Sequence, residues 1–312
     1  MHEKILATMA RLLEQAPSLG LRLADEKPIP HGVQLTFEHE GGRGTLNIYH
    51  SMKKGVSLVP GGKKNTAIRA KLQALANKPV GDVVDEQARL HSWSRWAGTD
   101  ESGKGDWFGP LVACGFVVDD QVLPLLRELG VQDSKRMSDR AVREAAATLE
   151  SKCRRRIETV ALSPTKYNAL YADFRAQGRN LNDLLAWMHG RAIANLAERF
   201  KLDGAVIDRF THVSRIRRNL GTASSLDIVD VVRGERDPAV AAASVLARNR
   251  FLCELDALSA RYGFTIPRGA GKHVDEAGVF FADKFSFDRI GEVAKLHFVN
   301  TVKLSDRIRS GS

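Results

Sequence analysis

The sequence predicts an α/β protein in two parts, a small α+β unit followed by a larger mixed sheet covered by helices. Three observations predict it. Beyond residue 93 short apolar runs alternate with helix-start signals. Ahead of residue 80 an amphipathic helical pattern gives way to runs of period two. Between them, residues 81–92 are charged and carry no apolar periodicity. This last stretch reads as a linker, so the expected division is 1–80, a linker over 81–92, and 93–312. A chain of 312 residues, 43% apolar, has the length for two domains and the apolar content for at least one sizeable core.

Apolar periodicity predicts a helix over residues 3–14. Val33, Leu35 and Phe37 then alternate with polar residues, and Leu46 and Ile48 alternate with Thr45, Asn47 and Tyr49, which predicts strands with a partly polar face. A second helix is expected over 66–76. In the larger part, residues 111–118, 155–162 and 205–210 are strand candidates. Ser138 and Ser163 are placed to cap helices, with Pro164 at the first helical position. Asp237-Pro238 repeats that arrangement ahead of a long alanine-rich helix, and Gly263 closes the last of these. The sequence has no internal repeat and no low-complexity segment.

The net charge is +10, and residues 1–80 supply +6 of it from twelve basic and six acidic side chains. No acid falls between Glu40 and Asp82, whereas Arg43, Lys53, Lys54, Lys63, Lys64, Arg69 and Lys71 do. Charge so concentrated points to a polyanionic partner, nucleic acid or an acidic membrane surface. Cys114, Cys153 and Cys253 form neither a C-x-x-C pair nor an even disulfide set, which fits a reducing cytoplasm. The amino end lacks the continuous apolar stretch of a signal peptide, and no run reaches transmembrane length. A soluble, cytoplasmic chain with no membrane role is expected.

The densest chemical signal is Gly98-Thr99-Asp100-Glu101-Ser102-Gly103-Lys104-Gly105-Asp106, just beyond a probable strand. Gly98 through Gly103 and Lys104 nearly match a phosphate-binding loop, but Gly105 stands where a hydroxyl should meet magnesium, and carboxylates inside such a loop would repel phosphate. Alternatively, Asp100 and Glu101 hold a metal against a phosphodiester while the glycines let the backbone approach it. Neighbouring strand residues face opposite ways, so these two acids share a site only where the strand ends or bulges, and Gly98 and Gly103 would permit that. An acidic strand end followed by a glycine-rich turn reads equally well on these residues alone. Asp208 ends the apolar run Ala205-Val206-Ile207, and Glu235 and Asp237 precede the alanine-rich helix as ligand or cap. Carboxylates of this kind suit Mg²⁺ or Mn²⁺, not zinc. The nine histidines make no H-E-x-x-H pattern, and no Gly-x-Ser-x-Gly elbow occurs.

Further blocks follow in order: Phe108-Gly109-Pro110, Asp133-Ser134-Lys135, Asn180-Leu181-Asn182 with Leu184-Leu185-Ala186-Trp187-Met188-His189, and Val206-Ile207-Asp208. After them come Ala239-Val240-Ala241-Ala242-Ala243-Ser244, Gly269-Ala270-Gly271-Lys272 with Val274-Asp275-Glu276-Ala277, and Gly291-Glu292-Val293-Ala294-Lys295-Leu296-His297-Phe298. Over nearly its whole length the chain thereby resembles ribonuclease HIII, of the type 2 ribonucleases H. The asparagine and tryptophan block, with the extra amino-terminal domain, favours HIII over its sister HII.

The resemblance implies an RNase H-like mixed sheet with flanking helices, preceded by a small α+β TATA-binding-protein-like domain over residues 1 to about 80 that helps to hold the substrate. It also implies a metal-dependent endoribonuclease, monomeric, that cuts the RNA strand of an RNA-DNA hybrid and leaves 3′-hydroxyl and 5′-phosphate ends. Two Mg²⁺ ions, or Mn²⁺, roughly 3.5–4 Å apart would be shared by four carboxylates. Asp100 is the expected bridging ligand, with Glu101, Asp208 and Glu235 completing the set. Gly103, Lys104, Gly105 and Lys135 are the expected contacts to the substrate backbone, where a 2′-hydroxyl distinguishes RNA from DNA. One departure bears on the fourth acid, because residues 233–238 run one residue shorter than the common family form. Glu235 is expected there, since Asp237 stands before Pro238 as a cap. The rival reading is a non-catalytic nucleic-acid-binding protein, and intact carboxylates at every matched position weigh against it.

Overall fold

The computed structural model describes residues 3–40, 42–51, 55–61, 66–77, 91–131, 134, 137–208, 211–231 and 234–310. The chain divides into two compact units, 1–89 and 90–312. Most of the expected linker, together with Lys53, Lys54, Lys63 and Lys64, lies outside the described residues.

In the first unit, helix α1 (Glu3–Gln15) leads into strands β1 (Arg22–Ile29), β2 (Gly32–His39), β3 (Gly42–Ser51) and β4 (Gly55–Pro60), and helix α2 (Ala67–Asn77) closes it. The strands form one antiparallel sheet in sequence order. Period two dictates its faces: Val33, Leu35, Phe37, Leu46 and Ile48 are buried with Leu12, Leu72 and Leu75 of the helices. On the other face the paired residues Gln34 and Asn47 meet side chain to side chain at 2.7 Å. Sequence periodicity did not reveal β1, because most of its residues are exposed and no alternation marks it.

The second unit is built on strands β5 (Arg95–Ser102), β6 (Leu111–Asp119), β7 (Ile157–Leu162), β8 (Gly204–Asp208) and β9 (Asp227–Val231), ordered β7-β6-β5-β8-β9. The β7, β6 and β5 pairings are antiparallel, whereas β5, β8 and β9 run parallel. Around them lie helices α3 (Leu123–Glu128), α4 (Asp139–Cys153), α5 (Pro164–Ala176), α6 (Leu181–Arg199), α7 (Val213–Arg217), α8 (Pro238–Tyr262), α9 (Lys272–Phe285) and α10 (Val299–Ser310). Every residue of β6 is buried. That is the mark of a strand covered on both faces, and full burial of a side chain such as Phe116 stabilises by roughly 1.5–3 kcal/mol. One cover is α8, packed with Val112, Phe116 and Val118; the other is α6, packed with Ala97 and Val117.

The capping signals act locally as read. Ser138 accepts a hydrogen bond from Ala141 N, Ser163 accepts from Lys166 N, and Gly263 ends α8 at φ +67°. Gly98 serves differently from the expected role. It lies inside β5, and a Cβ there would stand 2.2 Å from Val240 N and 2.3 Å from Ala239 C, so it lets the first turn of α8 rest on the strand. All three cysteines are free thiols, Cys114 and Cys153 buried and Cys253 exposed. Among the described residues, no helix is long and apolar enough to cross a membrane.

Candidate active site

The acidic motif begins within the strand, not beyond it. Pairing of β5 with β6 stays in register through Asp100, Glu101 and Ser102, without a bulge, whereas its pairing with parallel β8 ends at Thr99 and Ile207. The next residues along, Asp100 and Asp208, therefore stand at the carboxyl ends of adjacent parallel strands, where such sheets open a crevice. A helix does not follow Lys104; the chain returns along β6, which removes the phosphate-loop reading. Gly103 makes that turn at φ +90°, with Pro110 O only 2.2 Å from where a Cβ would be. Gly105 has nothing within 4 Å of such an atom, so packing does not explain its glycine.

A cleft of about 520 Å³ opens here, lined by Asp100, Glu101 and Asp208 together with Gly103, Lys104, Gly105, Arg248 and Arg268. Of the expected site residues it thus gathers three acids and three backbone contacts. Glu235 is not part of the lining, but it stands next to it. It is half-buried in a short 3-10 turn, Gly234–Arg236, and Gly234 N donates to Asp208 Oδ1 at 2.9 Å. Lys135 and its neighbour Asp133 lie outside the described residues. Asp237 is committed elsewhere. Only 4% exposed, it accepts hydrogen bonds from Ala239 N and Val240 N as the α8 cap and from the Trp96 indole at 3.1 and 3.2 Å. His91 Nε2 approaches it at 3.5 Å.

Burial and the neighbouring charge of Glu101 push the Asp100 carboxyl up to about 7, against the opposing hydrogen bonds from the Ser244 hydroxyl and from Glu101 N at 2.8 Å. For Glu101, burial works in the same upward direction but is outweighed by His189 and Lys104, which hold its carboxyl below the usual range. His189 Nε2 lies 3.1 Å from Glu101 Oε2, and Lys104 Nζ 3.5 Å from Oε1. Two half-buried carboxylates in sequence, one of them resisting ionisation, form a site that favours added positive charge. Among the described residues, no three His, Cys, Asp or Glu side chains already converge on one point as they stand.

Several supports were not legible as site residues. Ser244 and Ser134 bond to each other at 2.8 Å in the wall of the same cleft as Asp100. Both fall in the quoted blocks, but only the packing of residue 134 against α8 brings them together. Lys295, 1% exposed, donates through Nζ to the carbonyls of Phe108, Gly109 and Pro110 at 3.2, 2.7 and 3.3 Å, and burial pushes it down to about 7. The loop after β5 is held again where Trp107 N donates to Gly269 O at 2.9 Å and Gly269 N to Asp106 Oδ1 at 2.6 Å.

A model of the family Ribonuclease HII matches residues 97–301, from within β5 to the start of α10. Fold and site thus define the class of the type 2 ribonucleases H, hydrolases with nuclease activity. Within that class, the chain is 38% identical over 274 residues to Ribonuclease HIII of Bacillus cereus, covering 83% of this chain and 85% of that one. It is 31% identical over 277 residues to Ribonuclease HIII of Listeria monocytogenes, covering 82% and 87%. A crystal structure of a Bst-RNase HIII mutant superposes with a TM-score of 0.65 at 25% identity, covering 98% of this chain and 96% of that one. The same enzyme in complex with Mn²⁺ shares the fold at 23% identity, with a TM-score of 0.65 and coverage of 99% and 97%. The chain belongs to the ribonuclease HIII family.

Proposed function

We propose that this chain hydrolyses the RNA strand of RNA-DNA hybrids, with Asp100, Glu101, Asp208 and Glu235 holding two divalent cations, Mg²⁺ or Mn²⁺. The observation that carries the reading is the meeting of Asp100, Glu101 and Asp208 in one cleft that also presents Lys104 and two arginines. The donor set fits hard cations, being all carboxylate oxygen, and the raised Asp100 carboxyl marks a place where positive charge is wanted. When bound, such cations neutralise charge on the phosphodiester and lower the pKa of a bound water.

The remaining work falls to the chain's own groups. Asp100 and Asp208 stand just beyond the last residues paired between β5 and β8, so their carboxylates would hold a cation at a set position. The turn at Gly234, tied to Asp208, keeps Glu235 within one residue of the same acid. Gly105, with open space around it, leaves the backbone accessible to a sugar 2′-hydroxyl, and Lys104 lies beside it to meet phosphate. In-line attack of water then leaves 3′-hydroxyl and 5′-phosphate ends. The first unit holds the hybrid through its excess of basic residues.

The test is a cleavage map on a uniform hybrid and on a duplex with one ribonucleotide, with each metal, for wild type and Asp100→Asn. The variant is expected to bind hybrid and not cut it. Activity within about tenfold of wild type would overturn Asp100 as a ligand, whereas no cleavage by wild type with either metal would favour the binding-protein reading.

A further inference from the structure

Beneath the acids, on the side away from α8, an imidazole is buried as deeply as the core itself. His189 on α6 is 1% exposed, and its ring reaches two residues of the same strand: Nδ1 lies 2.8 Å from Thr99 Oγ1 and Nε2 lies 3.1 Å from Glu101 Oε2. We propose that His189 is a positioning residue that fixes the Glu101 carboxylate from behind so that it meets a divalent cation in a set orientation. This rests on the reading of Glu101 as a ligand.

Thr99 and Glu101 are two apart on β5, which places both on the α6 face, opposite to Asp100. A carboxylate only accepts hydrogen bonds, so Nε2 must carry the proton that Glu101 Oε2 receives. In the neutral ring, Nδ1 is then the acceptor, and the wholly buried Thr99 hydroxyl donates to it. Thr99 thus selects the tautomer and stops the ring from turning. Glu101 is held at its other oxygen by Lys104, but that lysine side chain is 40% exposed and can follow a ligand. His189 cannot, because its helix is packed against the sheet through Leu185, Met188, Ala192 and Ile193. The histidine is the rigid support and the lysine the adjustable one. Hydrogen bonds of this kind behind a ligand typically account for roughly 10–100-fold in metal affinity.

The test is binding of Mn²⁺ to the full chain without nucleic acid, read as free Mn²⁺ by electron paramagnetic resonance. His189→Leu is expected to weaken binding by roughly 10–100-fold. His189→Gln, whose amide can still donate to Glu101, should stay within about threefold of wild type. Thr99→Val, close in shape to threonine, should weaken binding by a smaller factor and add nothing on top of His189→Leu, because Thr99 acts only through the ring. Glu101→Gln serves as the control for the reading beneath. If it leaves affinity unchanged, Glu101 is not a ligand and both ideas fall. If it weakens binding while His189→Leu does not, or if glutamine is as poor as leucine, only the role of His189 is overturned. Should His189→Leu fail to fold, Thr99→Val decides, and unchanged affinity in that variant overturns the proposal.

Discussion

Replacing Asp100 by asparagine should stabilise the protein at neutral pH in the absence of divalent cations, even as it removes cleavage. The Asp100 carboxyl ionises at about 7, against 3.8 for an ordinary aspartate, through burial and the charge of Glu101. At about 1.4 kcal/mol per pH unit, that difference amounts to roughly 4 kcal/mol between the two charge states. The sign follows from linkage. A group whose folded value is raised contributes fully below its unfolded value near 4, loses that contribution as pH climbs, and has lost it all just above 7. Asparagine does not ionise, so its advantage grows over the same window and is flat beyond it. Against this stands weaker acceptance of the hydrogen bonds from Ser244 and Glu101 N, about 1–2 kcal/mol together, which leaves a net gain of about 2–3 kcal/mol. For a unit of this size each kcal/mol moves Tm by roughly 2–4 °C, so the variant should melt about 5–10 °C higher at pH 8. Thermal melts in EDTA across about pH 5 to 8 measure this, and saturating Mg²⁺ should close the gap by stabilising wild type alone. A difference that stays constant with pH, or shrinks as pH rises, refutes the reasoning.

Deleting residues 1–80 should weaken hybrid binding and flatten its salt dependence while turnover at saturation survives, since each lost phosphate contact removes released counterions from the slope; an unchanged slope in a salt titration counts against it. Glu235→Gln should lose turnover or demand far more magnesium. Asp237→Asn should instead lower Tm, by about 1–3 kcal/mol of stability, because the amide can replace the cap but meets the Trp96 indole with a donor; metal titrations of both variants separate the roles, and the reverse pattern moves the ligand to Asp237. Gly98→Ala should destabilise by about 3 kcal/mol or more, since the added methyl meets α8 backbone that cannot move aside; a chemical denaturation midpoint near wild type would contradict that.

Much of the fold was readable because its causes are local. Alternation in β2 and β3, the continuous apolar run of β6, and the serine and aspartate caps each act within a few residues of themselves. β9 was not readable, being a short strand that carries Asp227 and Asp230 among its five residues. β5 was partly hidden for a different reason: its glycine answers to a helix 140 residues away, and its acids sit where a strand would ordinarily place apolar residues. The site follows the same division. Asp100, Glu101 and Asp208 stand out by residue type only as candidates, with a glycine-rich turn reading equally well apart from the family resemblance, whereas the commitment of Asp237 to its helix is marked by the proline after it. His189 does not stand out, since on α6 it interrupts an apolar face and nothing near it in sequence says that Thr99 and Glu101 lie beneath.

The clamp at Lys295 has a consequence for how the enzyme is made. Its ammonium group holds the carbonyl of Gly109, a residue synthesised 186 positions earlier. On the ribosome the chain emerges amino end first, at roughly 5–20 residues per second, so Asp100 and Glu101 leave the tunnel about 10 s or more before the group that shapes the loop beside them. A chain stalled between Glu235 and Lys295 carries Asp100, Glu101, Asp208 and Glu235 but not the group that holds the loop beside them. The loop beside the acids is thereby completed only after Lys295 has been made.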